Sequence, residues 1–257
     1  MNLNFRSATY SIIFLLMLMN SSAGQAVEST APKVKAVVID YFALFDMKSV
    51  YAECDNEFQK TSPELCRVWR GKQLEYGFMN VIAKRPLDFQ VWAGDALDFA
   101  ADSTKTKLTP STRKKLLNSY SKLEPWPDTV DALKKLKKAG VRLAVVTFLS
   151  SSVQRANAKR AGIEKLFDSF ISTEKKHDIR PSPLAYAAME KELQLKKDQI
   201  VYVASAYWDV FGAKSFGFTT YLVNRTMAPA DKYGVAPDKT FENLESLVPV
   251  LSNSNKP

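Results

Sequence analysis

Four polar side chains fall at or beyond the ends of expected strands in this sequence, and their types would suit one chemical site. Asp40 closes the run VVI at 37–39, Thr147 follows LAVV, Arg180 stands in the loop before PSPLAYAAME, and Asp209 lies just past VYVASAYW. Two carboxylates, a guanidinium and a hydroxyl point to carboxylate-based chemistry. Other chemistries are narrowed by what the chain lacks. Its one histidine, His177, excludes a metal site built on several histidines and argues against a Ser-His-Asp triad. Neither GxGxxG nor GxxxxGK[ST] occurs, which weakens dinucleotide and P-loop readings. His177 itself, in the polar run TEKKHDIR, reads as a surface loop residue. Each of the four groups also has a plainer role. Thr147 and Asp209 could cap helices, and Arg180 could form a surface ion pair. Asp40 could cap the next helix, although Asp46, just ahead of MKSVYAECDNEF, fits that role better.

These groups share a crevice only if the strands before them lie side by side and parallel. The C-terminal part predicts that arrangement: strands at 142–147, 168–172, 199–203 and 219–223 alternate with helices at 151–161, 183–194 and 208–215. A helix at 128–139, with Pro127 before it and Gly140 after it, leads into the series. In open parallel sheets ligands bind at the carboxyl ends of the strands, where all four groups fall. From Asp46 to about Leu123 the pattern is helical throughout. The expected fold is therefore α/β: a Rossmann-like parallel sheet core at 33–46 and 125–257, with an inserted helical cap domain at 47–124. The polar tail SNSNKP follows, and there are no internal repeats.

The chain has 257 residues, 46% of them hydrophobic, enough for a substantial core. Residues 1–26 read as an export signal: Arg6, an apolar stretch from Ile12 to Met19, then SSAGQA. The apolar stretch is less than half of the roughly 20 residues a bilayer span needs, so cleavage after Ala26 and a periplasmic location are expected. Loss of Arg6 leaves 35 basic and 27 acidic side chains, a net charge of +8 dispersed over helix faces in KKLKK, TRKK, EKK and KK. Nucleic-acid binding would call for one basic stripe with interleaved aromatics, and no such stripe is present. Cys54 and Cys66 are close enough in sequence to be bridged in an oxidising compartment or to stay as buried thiols.

The mature chain resembles the L-2-haloacid dehalogenases of the haloacid dehalogenase superfamily nearly end to end. The likeness runs through VKAVVID, LFDMKSVYAECDNEF, VWRGKQLEY, LDF at 87–89, PDTVDALKKLKKAGVRLAVVT, IRPSPLAY and WDVFGAKSFGFTTYLVNRT, in the right order and at the right intervals. The resemblance implies that Asp40 is a nucleophile. It attacks C2 of a short carboxylic acid, expels the substituent and forms an aspartyl ester, which water then hydrolyses to a 2-hydroxy acid. It further implies that Thr147 and the backbone at Tyr41 and Phe42 hold the substrate carboxylate, that Arg70 receives the leaving group, and that Phe89, Tyr186 and Trp208 line or support the pocket. Asp209 would activate water, with Arg180 beside Asp40. No metal or cofactor is implied, and a homodimer is. The superfamily's phosphatases carry a second aspartate two residues after the first; here that residue is Phe42, which argues against phosphate chemistry.

Several positions depart from the family pattern. DYFALFD is one residue shorter than D-x-Y-G-T-L-F-D and lacks its glycine and threonine. Thr147, Phe148 and Leu149 replace Ser-Asn-Gly, Gly71 replaces a glutamine, Arg180 a lysine, and Ala204 and Ala206 a serine and an asparagine that position water. The leaving group is therefore either halide or the ring nitrogen of a strained cyclic amino acid such as azetidine-2-carboxylate, whose cation Phe148 could face. The alternative is an inactive protein that binds a small carboxylate. Protein recovered from the periplasm is expected to begin at Val27 on N-terminal sequencing; intact Met1 on a membrane-bound form would contradict the cleaved signal.

Overall fold

A computed structural model describes residues 34–59, 62–85, 88–174 and 179–253. The expected export signal and His177 lie outside these residues. The described residues form one compact unit.

Strand β1 (Ala36–Asp40) is buried along its whole length, which explains why its sequence is apolar without alternation. Val37 and Ile39 pack on one face of the sheet, and Ala36 and Val38 on the other. A single helical turn, α1 (Tyr41–Leu44), and a short strand, β2 (Phe45–Asp46), follow. The chain then runs through four helices: α2 (Lys48–Phe58), α3 (Ser62–Ile82), α4 (Phe89–Ser103) and α5 (Pro110–Asn118). Asp46 supports the first of them, since its Oδ1 accepts from Lys48 N–H at 2.9 Å. Asp88 and Thr109 cap α4 and α5.

The chain returns through β3 (Glu124–Pro125), which pairs antiparallel with β2. This ribbon joins the two segments of chain that lead into and out of the helices. The alternating series then follows: α6 (Thr129–Lys138), β4 (Arg142–Thr147), α7 (Ser151–Arg160), β5 (Ser169–Ser172), α8 (Pro183–Leu193), β6 (Ile200–Ala204), α9 (Tyr207–Phe216) and β7 (Thr219–Val223). A last strand, β8 (Lys239–Phe241), and helix α10 (Leu244–Asn253) were not foreseen. Only three residues of β8 join the ladder, too few to show a period of two.

The sheet order is β5-β4-β1-β6-β7-β8, with every neighbouring pair parallel. From β1 the chain leads to β4 and β5 on one side, whereas from β6 it leads to β7 and β8 on the other. The topological switch point, where connections diverge and leave a crevice, therefore lies between the carboxyl ends of β1 and β6.

Within the helical insert, Leu65, Trp69, Trp92, Ala96, Leu97, Leu116 and Tyr120 are buried. The Trp69 indole N–H donates to the Ala93 carbonyl at 2.8 Å, tying α3 to α4. Cys54 on α2 and Cys66 on α3 form a disulfide, settling the alternative left open by the sequence. The 12-residue separation closes a small loop. Replacing both cysteines by serine is expected to lower unfolding free energy by about 3 kcal/mol in chemical denaturation; an unchanged midpoint would show that the bridge does not constrain the cap.

Candidate active site

Asp40 and Arg180, 140 residues apart, meet at the switch point. Arg180 Nη2 donates to Asp40 Oδ1 at 2.7 Å, and its Nη1 donates to Asp209 Oδ2. All three side chains are almost wholly buried. The surface ion pair considered for Arg180 is thus replaced by a buried carboxylate–guanidinium–carboxylate bridge. Asp209 does not cap a helix; it lies in the first turn of α9, fully enclosed.

Two tyrosines complete the coordination of Asp209. Tyr186 Oη donates to Oδ1 and Tyr202 Oη to Oδ2, each at 2.7 Å. Burial holds both phenols far above their usual pKa, so they remain protonated donors. Burial also pushes the Asp209 carboxyl up to about 6, with Asp40 adding to the rise and Arg180 and the phenols opposing it. For Arg180, burial alone would favour loss of charge, but Asp209 and Asp40 outweigh it and raise the pKa further. Tyr186 comes this close to α9 because residue 212 is glycine: a Cβ there would overlap the Tyr186 hydroxyl and Pro181.

The turn after Asp40 is fixed from outside. Trp126 N–H donates to the Leu44 carbonyl at 3.0 Å and Thr129 Oγ1 to the same atom at 2.9 Å. The Trp126 indole N–H reaches the Phe42 carbonyl at 3.3 Å. Arg225 donates through Nη2 to the Ala43 carbonyl at 2.7 Å and through Nη1 to Asp128 at 2.9 Å. The shortened segment DYFALFD is thereby held as one helical turn without the family's glycine.

Its two aromatics part company. Tyr41, whose backbone N–H is the group expected to hold the substrate carboxylate, has a fully buried side chain; its ring stacks on Phe45 at 4.5 Å and its hydroxyl accepts from Asn157 Nδ2 at 2.7 Å. That side chain belongs to the core. Phe42 faces an aromatic wall containing Phe148, 5.8 Å away between centroids. Phe148 in turn stacks on Phe89 at 5.1 Å and meets Trp92 at 5.4 Å. The guanidinium of Arg70 lies 5.4 Å from the centre of the Phe42 ring and donates to Gln73 Oε1 at 2.7 Å. Gly71, which stands where the family has a glutamine, is exposed, and a Cβ added there would meet nothing within 4 Å. The amide that steadies Arg70 is Gln73, which is buried and also bonded to Tyr120. Arg70 further lines a cavity of about 470 Å³ with Tyr51, Asp55, Pro63, Cys66 and Arg67.

Thr147 is buried at the end of β4, its Oγ1 accepting from Leu149 N–H at 3.3 Å, which leaves its proton to donate elsewhere. The Trp208 ring lies 5.8 Å from the Arg180 guanidinium. Four contributors escaped the sequence analysis: Ser205, whose Oγ donates to Asp40 Oδ2, Tyr202, Gln73 and Arg225. Tyr202 and Gln73 read as ordinary core or helix residues. Ser205 offered one signal, as the only hydroxyl between Ala204 and Ala206 just past a strand end.

Fold and site together define an α/β enzyme with a buried carboxylate centre under a helical insert. A model of the haloacid dehalogenase-like hydrolases matches residues 24–217. The (S)-2-haloacid dehalogenase of Pseudomonas sp. (strain YL) is 32% identical over 222 residues, covering 86% of this chain and 96% of its own length. Haloacetate dehalogenase H-2 of Moraxella sp. (strain B) is 28% identical over 221 residues, covering 86% and 99%. The structure of L-2-haloacid dehalogenase from Xanthobacter autotrophicus matches with a TM-score of 0.77 at 28% identity, over 85% of this chain and 98% of that one. A second structure of that enzyme, with chloropropionic acid covalently bound, matches equally. The chain belongs to the haloacid dehalogenase-like hydrolases and, among them, is a divergent member of the L-2-haloacid dehalogenase family.

The central bridge makes a test possible. Arg180→Met leaves two carboxylates buried without their shared counter-charge and is expected to cost about 3–5 kcal/mol of stability in chemical denaturation. A loss below about 1 kcal/mol would mean that the groups are solvated rather than enclosed.

Proposed function

We propose that this hydrolase displaces the C2 substituent of a short 2-substituted carboxylic acid through an ester on Asp40, giving a 2-hydroxy acid. The observation that carries the reading is the Arg180 bridge, which sets a nucleophilic carboxylate and a second carboxylate for water activation on one guanidinium. In the first step an Asp40 oxygen forms a bond to C2 as the substituent leaves with its electron pair. In the second, water attacks Cγ of Asp40 and gives a proton to Asp209, whose raised pKa suits a base working near neutral pH. Arg180 cannot exchange protons at such pH, so its part is electrostatic. Thr147 supplies a donor for the substrate carboxylate. The covalently bound chloropropionic acid in the Xanthobacter autotrophicus enzyme supports the same route here.

Halide is the favoured leaving group because the cation of Arg70 sits at the aromatic wall, on the ring of Phe42. A second reading, ring opening of azetidine-2-carboxylate, is favoured by the enclosure of Phe148, Phe89, Phe42 and Trp92, aromatic faces that suit a cationic amine. Arg70 opposes it, and Phe89 already covers one face of Phe148. Export after cleavage of residues 1–26 belongs to the proposal and is supported by the Cys54–Cys66 bridge. A homodimer rests on the family likeness alone.

Purified protein is expected to release chloride from (S)-2-chloropropionate faster than it opens azetidine-2-carboxylate, and Asp40→Asn to abolish both. Over several turnovers in ¹⁸O-labelled water, label should enter the Asp40 carboxylate, read by peptide mass. Label in product but never in Asp40 would replace the ester by direct attack of water. Faster opening of the cyclic acid would assign the pocket to a cation.

A further inference from the structure

The two oxygens of Asp40 have different surroundings. Oδ1 takes Arg180 Nη2 at 2.7 Å on the enclosed side, where Arg180 is only 2% exposed. Oδ2 accepts a hydrogen bond from Ser205 Oγ, and Ser205 is half-buried where Arg180 is enclosed. Ser205 follows β6 directly, across the switch point from Asp40. It lies between Ala204 and Ala206, two residues whose side chains carry no hydrogen-bonding group.

We infer that Ser205 is a catalytic residue for ester breakdown: Oδ2 is the attacking oxygen, and Ser205 Oγ donates to it as it departs with the product. This rests on the aspartyl-ester reading above. In the first step a lone pair of Oδ2 makes the bond to C2 while the C2 substituent leaves with the bonding pair. Oδ2 becomes the bridging oxygen of the ester and Oδ1 its carbonyl oxygen. Water then bonds to Cγ and gives one proton to Asp209, while the π pair moves onto Oδ1, where Arg180 meets the new negative charge. When the Cγ–Oδ2 bond breaks, Oδ2 carries that pair away as the hydroxyl oxygen of the product. The Ser205 hydrogen bond stabilises the nascent alkoxide until the proton held by Asp209 returns to it. The C=O bond re-forms from the pair on Oδ1, the oxygen of water stays in Asp40, and its remaining proton passes to solvent, which restores the carboxylate.

A donor that acts on a leaving alkoxide matters little for the earlier attack, where its bond to Oδ2 slightly dulls the nucleophile. Removing it should therefore separate the two steps. With (S)-2-chloropropionate or azetidine-2-carboxylate, whichever the wild-type protein turns over, Ser205→Ala should lower steady-state turnover by about 100-fold. It should still form the Asp40 ester, visible as an adduct in quenched intact-protein mass spectra, with a burst of about one chloride per site from the chloro acid; the amine freed from the cyclic acid stays tethered in the ester, so there the adduct alone is read. The adduct also reports that the variant is folded. Ser205→Thr, which keeps the hydroxyl, should clear the adduct and restore most turnover. The proposal is overturned if Ser205→Ala turns over like wild type, or if formation and breakdown fall together with no adduct, as a structural role would give. If the wild-type protein never places ¹⁸O in Asp40, the ester reading itself fails and this inference falls with it, a result seen without any variant.

Discussion

Arg180 carries a full positive charge into an interior that excludes water, and Asp40 and Asp209 carry the two negative charges that make it tolerable there. Removing an ion from water costs several kcal/mol even after relaxation, and only close partners with satisfied hydrogen bonds offset this. The surrounding structure supplies those partners. Tyr186 and Tyr202 saturate Asp209, Ser205 takes the other oxygen of Asp40, and the glycine at 212 lets Tyr186 approach. The sheet order follows the same need, since β1 and β6 must be neighbours for one guanidinium to span both carboxylates.

The bridge also separates the roles of two acids that are alike in isolation. Asp40 has one oxygen on Arg180 and the other on the half-buried Ser205, whereas Asp209 is fully enclosed with its pKa raised toward neutrality. Environment rather than residue type makes one suited to attack and the other to accepting a proton. Around them, Trp126, Thr129 and Arg225 immobilise the turn carrying Phe42, so the aromatic wall rests on a rigid base. The helices of the insert close that wall through Phe89 and Trp92, and Gln73 and Tyr120 hold Arg70 from behind.

Much of this was legible along the chain. The apolar run before Asp40, the alternation of strands and helices after residue 128, and the purely helical segment between are local patterns, set by burial on two faces of a sheet or one face of a helix. Asp40, Arg180 and Asp209 could be nominated because strand ends converge in any parallel sheet. The family likeness of the quoted motifs then supplied a chemistry that periodicity could not.

What the tertiary structure decided are the partnerships across distance and the directions of side chains. Ser205 meets Asp40 across 165 residues, and nothing near either one encodes the meeting. Tyr41 and Phe42 are adjacent aromatics, yet a single helical turn sends one into the core beside Asn157 and the other to the site. Gln73 rather than Gly71 faces the cap interior because two residues along α3 amount to a rotation of about 200°. The sequence by itself showed most of the elements that form and that Asp40 ends the first of the strands. Only packing in three dimensions decided which polar groups lose water together, and that shared desolvation is what turns separate side chains into a site.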